Sequence, residues 1–184
     1  MNQVYAFLAP GLEEVECLAT VDVLIRGGIN VKLVSITDSL EVTGAHHITV
    51  KADCRLEDVA WDEAQVLFLP GGMPGTKHLA ECRELTENLT EAYRKGKRLA
   101  AICAAPSVLG GLGLLEGKRA TCYPGFEDEL KGAEFQKAGV VTDGQITTAR
   151  GLGYALDLGL ELVKLLVNKE TSEKIKTSIQ YDQF

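Results

Sequence analysis

Short apolar runs alternate with longer amphipathic stretches along the chain. The runs VYAFLA (4–9), VKLVSI (31–36), QVLFLP (65–70) and RLAAIC (98–103) are almost continuously hydrophobic, as strands are when a sheet is covered on both faces. Between them the apolar residues recur at helical spacing. In 12–27, Val15, Leu18, Val21, Leu24 and Ile25 mark one such helix, with Glu13, Glu14 and Glu16 in its first turns and Gly27-Gly28 closing it; acids there complement the positive end of the helix dipole. Residues 76–96 read as one polar helix and LGYALDLGLELVKLLV (152–167) as a strongly apolar one. HHITVKAD (46–53) reads as an extra strand or hairpin, and GVVTDGQITTA (139–149) as two strands joined at Asp143-Gly144, a common tight-turn signal.

Strand followed by helix, repeated, predicts an α/β fold with a mainly parallel sheet and helices on both faces. Neither a repeat nor a linker interrupts the pattern, so the reading is one domain over 1–184. In such sheets ligands gather at the carboxyl ends of the strands. Here those ends are Pro10-Gly11, Pro70-Gly71-Gly72 and Cys103, which converge on one edge if the strands are parallel neighbours.

Composition narrows the function classes. With 46% hydrophobic and 24% charged residues over 184 positions, the chain has an ordinary globular make-up. A formal net charge of −7 argues against nucleic acid or an anionic membrane as partner. No run approaches the roughly 20 apolar residues of a membrane span, and the N-terminus lacks the basic region of a signal peptide. The five cysteines (Cys17, Cys54, Cys82, Cys103 and Cys122) form no CxxC pair and fit neither a disulfide framework nor a metal site. Reduced thiols in a cytoplasmic protein, with no metal and no cofactor, are the expectation.

Cys103 stands where the run LAAI gives way to AAPSVLGGLG. Two readings fit it. A free cysteine is a common small core residue. A residue on a tight strand-to-helix turn is instead pushed out of the sheet, and the helix entry offers free N–H groups and positive potential that favour a thiolate. Glu16 follows the first strand closely enough for its carboxyl group to face Cys103. Two anions do not share a confined site, so Glu16 is expected to keep its proton and donate to the thiolate. The alternative is a solvated first turn. In LPGGMPG (69–75), glycines let backbone N–H groups approach a ligand, and the N–H groups of Gly72 and Ala104 are the expected oxyanion hole beside Cys103.

Four blocks, APGLEEVECLATVDVLIRGG (9–28), LFLPGGMPGTKHL (67–79), AAICAAPSVLGGLGLLEGKRAT (100–121) and TTARGLGYALDLGLELVKLL (147–166), together resemble the ThiJ/PfpI superfamily, on the branch of the parkinsonism-associated deglycase and its bacterial relatives. The resemblance implies a flavodoxin-like three-layer sandwich and a homodimer. It also implies that Cys103 is a reactive, oxidation-sensitive nucleophile, that Glu16 is protonated beside it, and that the N–H groups at Gly72 and Ala104, with Gly71 next to them, form the anion pocket. Two positions depart from the family's human-type pattern. Tyr123 stands where that pattern has a histidine near the cysteine, and a phenol is a poor base at neutral pH. His46 stands where it has an arginine reaching across the dimer, and is either a substrate-site residue or a solvated strand histidine. His78 reads as a surface helix residue.

A cysteine protease or amidotransferase needs a histidine oriented on the thiol, but Ala104 follows Cys103 and the chain has no histidine after His78. Acids in APGLEE disfavour a flavin phosphate. What remains is the activity the resemblance implies, cofactor-free glyoxalase or deglycase chemistry on a small 2-oxoaldehyde or a glycated group. The alternative is a non-enzymatic oxidative-stress sensor or chaperone using the same cysteine.

Overall fold

In the computed structural model, which describes residues 3–181, the chain builds one seven-stranded sheet and two small two-stranded ones. The strands are β1 (Gln3–Leu8), β2 (Asn30–Ser35), β3 (Glu41–Thr43), β4 (Thr49–Lys51), β5 (Cys54–Arg55), β6 (Ala64–Leu69), β7 (Arg98–Ile102), β8 (Arg119–Ala120), β9 (Glu134–Phe135), β10 (Val140–Asp143) and β11 (Ile146–Ala149). The helices are α1 (Glu14–Arg26), α2 (Gly75–Glu81), α3 (Arg83–Arg94), α4 (Pro106–Gly111), α5 (Ala155–Leu166) and α6 (Lys169–Ser178).

The large sheet runs β10-β11-β7-β6-β1-β2-β5. All its pairs are parallel except β10 with β11, which the Asp143-Gly144 turn joins with Gly144 at φ 61°. Side chains alternate between its faces as the pleat requires. Tyr5, Phe7, Leu67, Leu69, Leu99 and Ala101 pack on one side with Leu79, Leu85, Leu89 and Leu109 of α2, α3 and α4. Val4, Ala6, Leu8, Phe68, Ala100 and Ile102 pack on the other with α1 and α5, through Val23, Leu24, Leu158 and Leu162. The result is the doubly wound, three-layer sandwich of the flavodoxin type. No described helix is long and apolar enough to cross a membrane.

Several elements differ from the sequence reading. The helix expected over 76–96 breaks at Cys82, whose backbone is extended (ψ 96°). Leu79 and Leu85 are six positions apart, about 120° around a continuous helix; the break brings both into the same core. The apolar helix expected from 152 opens with a 3-10 turn, Leu152–Tyr154, before α5. The segment 46–53 supplies β4, whose antiparallel partner β3 lies further upstream. Helix α6 was not expected at all: it is polar, buries only Ser172 and Ile175, and is capped by Asn168, which accepts the Thr171 N–H at 2.8 Å.

Because β7, β6 and β1 are adjacent and parallel, their carboxyl ends lie side by side. Helix α1 begins just past one of these ends, and the chain after β11 returns to the same edge. That edge is where the candidate chemistry collects.

Candidate active site

Cys103 follows directly on β7, with its N–H bound to the Ala149 carbonyl (2.9 Å) and its own carbonyl accepting the Tyr123 N–H (2.8 Å). It is one of three described non-glycine residues at positive φ, at 65°. That left-handed conformation costs an L-residue about 1–2 kcal/mol. The flanking hydrogen bonds hold the backbone there, and the side chain is half-buried rather than sealed in the core.

Glu16 lies in the first turn of α1 with 1% of its surface exposed. Gly71 packs against both it and the cysteine: a Cβ on that glycine would press on Glu16 Oε2 and stand 2.5 Å from Cys103 Cβ. Only glycine fits there. Gly72 (φ 92°) leaves no more room, because its Cβ would collide with the Glu13 backbone nitrogen.

The Glu16 carboxyl group faces the Cys103 thiol and the N–H groups of Gly71 and Leu152, yet its Oε2 is buried without a hydrogen-bond partner of normal geometry. An ionised oxygen left so is far more costly than a protonated one. Burial accordingly pushes Glu16 up to about 7, with the charge of Glu13 adding to the rise.

The thiol departs from expectation. The helix entry does not by itself lower it: burial, then the charge of Glu16 and the hydrogen bond to it, push Cys103 up to about 12, against the pull of the Ala104 and Gly72 N–H groups. The repulsion from Glu16 exists only while Glu16 is ionised. With a proton on the carboxyl group the repulsion vanishes and the O–H becomes a donor to sulfur, so the pair holds one proton between two acids.

The other expected site residues fall into two groups. The N–H groups of Gly72 and Ala104 face the sulfur, while that of Gly71 serves Glu16 instead. Tyr123 is half exposed and flanks the site, its ring 3.3 Å from where a Gly151 Cβ would stand, with Glu16 Oε1 at 3.9 Å from the same point. His46 turns elsewhere. Its Nδ1 lies 2.8 Å from Glu14 Oε2 and 3.6 Å from Glu13 Oε1, so it is neither on the cysteine nor a merely solvated strand residue. His78 also has a partner, the Pro10 carbonyl at 2.8 Å.

Two residues that the sequence reading took for first-turn acids have structural work. Glu14 is 2% exposed and its Oε1 accepts the N–H groups of His46 (2.9 Å) and Ile48 (3.3 Å), tying the β3–β4 hairpin to α1. Burial works to raise it, but the His46 ring and these N–H groups outweigh burial and hold it below the usual carboxylate range. Glu13 is the N-cap of α1, its Oε2 accepting the Glu16 N–H at 2.6 Å. Among the described residues Glu13, Glu14 and His46 are the group whose donor atoms converge closely enough to suggest a cation; the imidazole itself fills that place as an ion pair with Glu14. A groove of about 270 Å³ between α5 and α6, lined by Asp157, Glu161, Lys164, Lys169 and Lys176 among others, shares none of these residues.

A cysteine on a left-handed turn after a central parallel strand, with a buried carboxyl group beside it and backbone N–H groups on the sulfur, forms a strand-turn-helix elbow at the ligand edge of an α/β sheet. Residues 2–165 match the DJ-1/PfpI family, and the chain belongs to it. It is 37% identical over 170 residues to Protein DJ-1 homolog B of Arabidopsis thaliana, covering 91% of this chain but only 39% of that longer relative. To the glutathione-independent glyoxalase DJR-1.2 of Caenorhabditis elegans it is 32% identical over 165 residues, 89% of this chain and 87% of that one. Oxidized DJ-1 of Toxoplasma gondii superposes with a TM-score of 0.95 at 33% identity, covering 99% of this chain and 100% of that one.

Proposed function

We propose that this protein is a cofactor-free glyoxalase or deglycase in which Cys103 is the nucleophile and Glu16 the proton carrier. The observation that carries the reading is the pairing: the Cys103 thiol on its left-handed turn and the buried Glu16 carboxyl group, pushed up to about 7, meet at the end of the sheet, an arrangement in which one group can supply electrons and the other a proton. The C. elegans relative is named for this activity.

The chemistry needs no outside oxidant. Cys103 sulfur attacks the aldehyde carbon of a 2-oxoaldehyde such as methylglyoxal, and Glu16 gives its proton to the aldehyde oxygen, forming a hemithioacetal. The Glu16 carboxylate then removes the hydrogen from that carbon as a proton and delivers it to the neighbouring carbon, while the proton of the C1 hydroxyl passes to the C2 oxygen through an enediol and leaves a carbonyl at C1. The product is a 2-hydroxyacyl thioester, and water cleaves it to lactate and the free thiol. The N–H groups of Gly72 and Ala104 are suited to hold the oxygen on which charge develops. A methylglyoxal adduct of an amine or thiol enters the same sequence as a deglycation substrate. Cys103→Ser and Glu16→Gln are each expected to cut lactate formation from methylglyoxal by at least about a thousandfold; either variant at the native rate ends this reading.

A second reading uses the same sulfur for reversible oxidation, and it is favoured by the oxidized state recorded for the T. gondii homologue. Peroxide would convert the Cys103 thiolate to sulfenic acid and release hydroxide. Under limiting peroxide, mass spectrometry is expected to find Cys103 modified well before the buried Cys17 and Cys122; equal rates exclude it. The homodimer implied by the resemblance and the cytoplasmic location expected from the unpaired cysteines belong to this proposal too, and the exposed Val15, Leu18 and Ile25 on α1 support the first.

A further inference from the structure

Glu13 is an odd choice for a helix cap. Ser, Thr, Asp and Asn cap best because their short side chains reach the N2 or N3 amide, and any of them would satisfy the Glu16 N–H. Glu13 does so at 2.6 Å while its side chain stays 12% exposed. Its own N–H donates to the Gly71 carbonyl at 2.8 Å, and its backbone packs against Gly72 so closely that a Cβ there would not fit. One residue thus bonds the turn that carries Gly71 and caps the helix that carries Glu16. It also brings a second negative charge to a buried acid.

We propose that Glu13 is a positioning residue whose enclosed carboxylate keeps the proton on Glu16. This rests on the Cys103–Glu16 reading above and names the charge that adds to burial in setting the state of that pair. The groups around Glu16 leave this task to Glu13. Cys17, next along α1, is fully buried and pushed so far up that it stays neutral. Cys103, from the end of β7, shares the proton in question. Glu14 is occupied by His46 and the hairpin amides. Tyr123 lies across the Gly151 position from Glu16, and Arg150 acts on Cys122. The charge of Glu13 is the one among them that raises Glu16. His46, 3.6 Å from Glu13 Oε1, tempers that charge when protonated.

The test reads the carboxyl group directly and does not depend on turnover. The infrared C=O band of protonated Glu16, assigned by its loss in Glu16→Gln, is followed against pH in the native protein, Glu13→Gln and Glu13→Ala. Gln keeps the cap acceptor and loses the charge; Ala loses both. The midpoint is expected to fall by about one pH unit in both variants, with Tm lowered chiefly in Ala. Iodoacetamide labelling of Cys103 at pH above the native midpoint should fall about tenfold in Glu13→Gln, because an ionised Glu16 holds the thiol up. A Glu13→Gln midpoint within about 0.2 unit of native, or a shift confined to Ala, overturns the proposal and leaves Glu13 a cap. A full shift in a protein that forms no lactate upholds it while removing the glyoxalase reading.

Discussion

Glu14 and Glu16 sit two positions apart on one helix, are 2% and 1% exposed, and are driven in opposite directions. Glu14 accepts two backbone N–H groups and an imidazole and is held as an anion. Glu16 meets a thiol and has an oxygen with no partner, and it is held near neutrality. Burial works to raise both, prevailing at Glu16 and outweighed at Glu14. The difference lies in what each side of α1 faces: a hairpin whose amides point inward, or a strand edge where a sulfur competes for the same proton. A carboxylate surrounded by donors is a structural bolt, whereas one deprived of them is a proton reservoir.

That contrast can be broken from either side. The larger expected effect is on the Glu14 side. Glu14→Ala removes the acceptor for the His46 and Ile48 amides and should cost about 3 kcal/mol in urea unfolding at pH 7; a loss as small as that of a surface substitution would mean the hairpin is held by something else. The smaller effect concerns Glu16 and runs the other way with pH. Its folded value of about 7 lies above the ordinary 4.5, so the proton binds more tightly in the folded state. The stabilisation it gives is complete below the unfolded value and is lost as pH rises through the folded one. Glu16→Gln, neutral throughout, should therefore gain on the native protein by about 2 kcal/mol between pH 5 and pH 8. A constant difference between the two would show that Glu16 ionises freely in the fold.

The frame of the molecule was legible because its strands are covered on both faces. VYAFLA, QVLFLP and RLAAIC are apolar at nearly every position, and only a central parallel strand imposes that. Short or solvated elements lack such a signature. Helix α6 has two buried residues, and β8 and β9 are two residues long. The break at Cys82 answers to the core beneath it rather than to any local breaker.

At the site, adjacency followed from strand ends: once β1, β6 and β7 are neighbours, Glu16, Gly71 and Cys103 must meet. What could not be read was electrostatic. The lift of the Cys103 thiol comes first from the depth of the surrounding protein, a property of the whole fold. His46 and Glu14 are 32 residues apart, and no periodicity links a hairpin turn to a helix start. A glutamate at the cap of α1 was the one available clue to Glu13, because residue preferences there favour shorter side chains.

The bare backbone at Gly71 works as an aperture. A single methyl group would fill the gap through which the carboxyl group and the thiol see each other, and no rotamer change could clear it, since the obstruction would begin at the first side-chain atom. Alanine at that position would thus act as a shutter, parting the two groups while both remained in the chain.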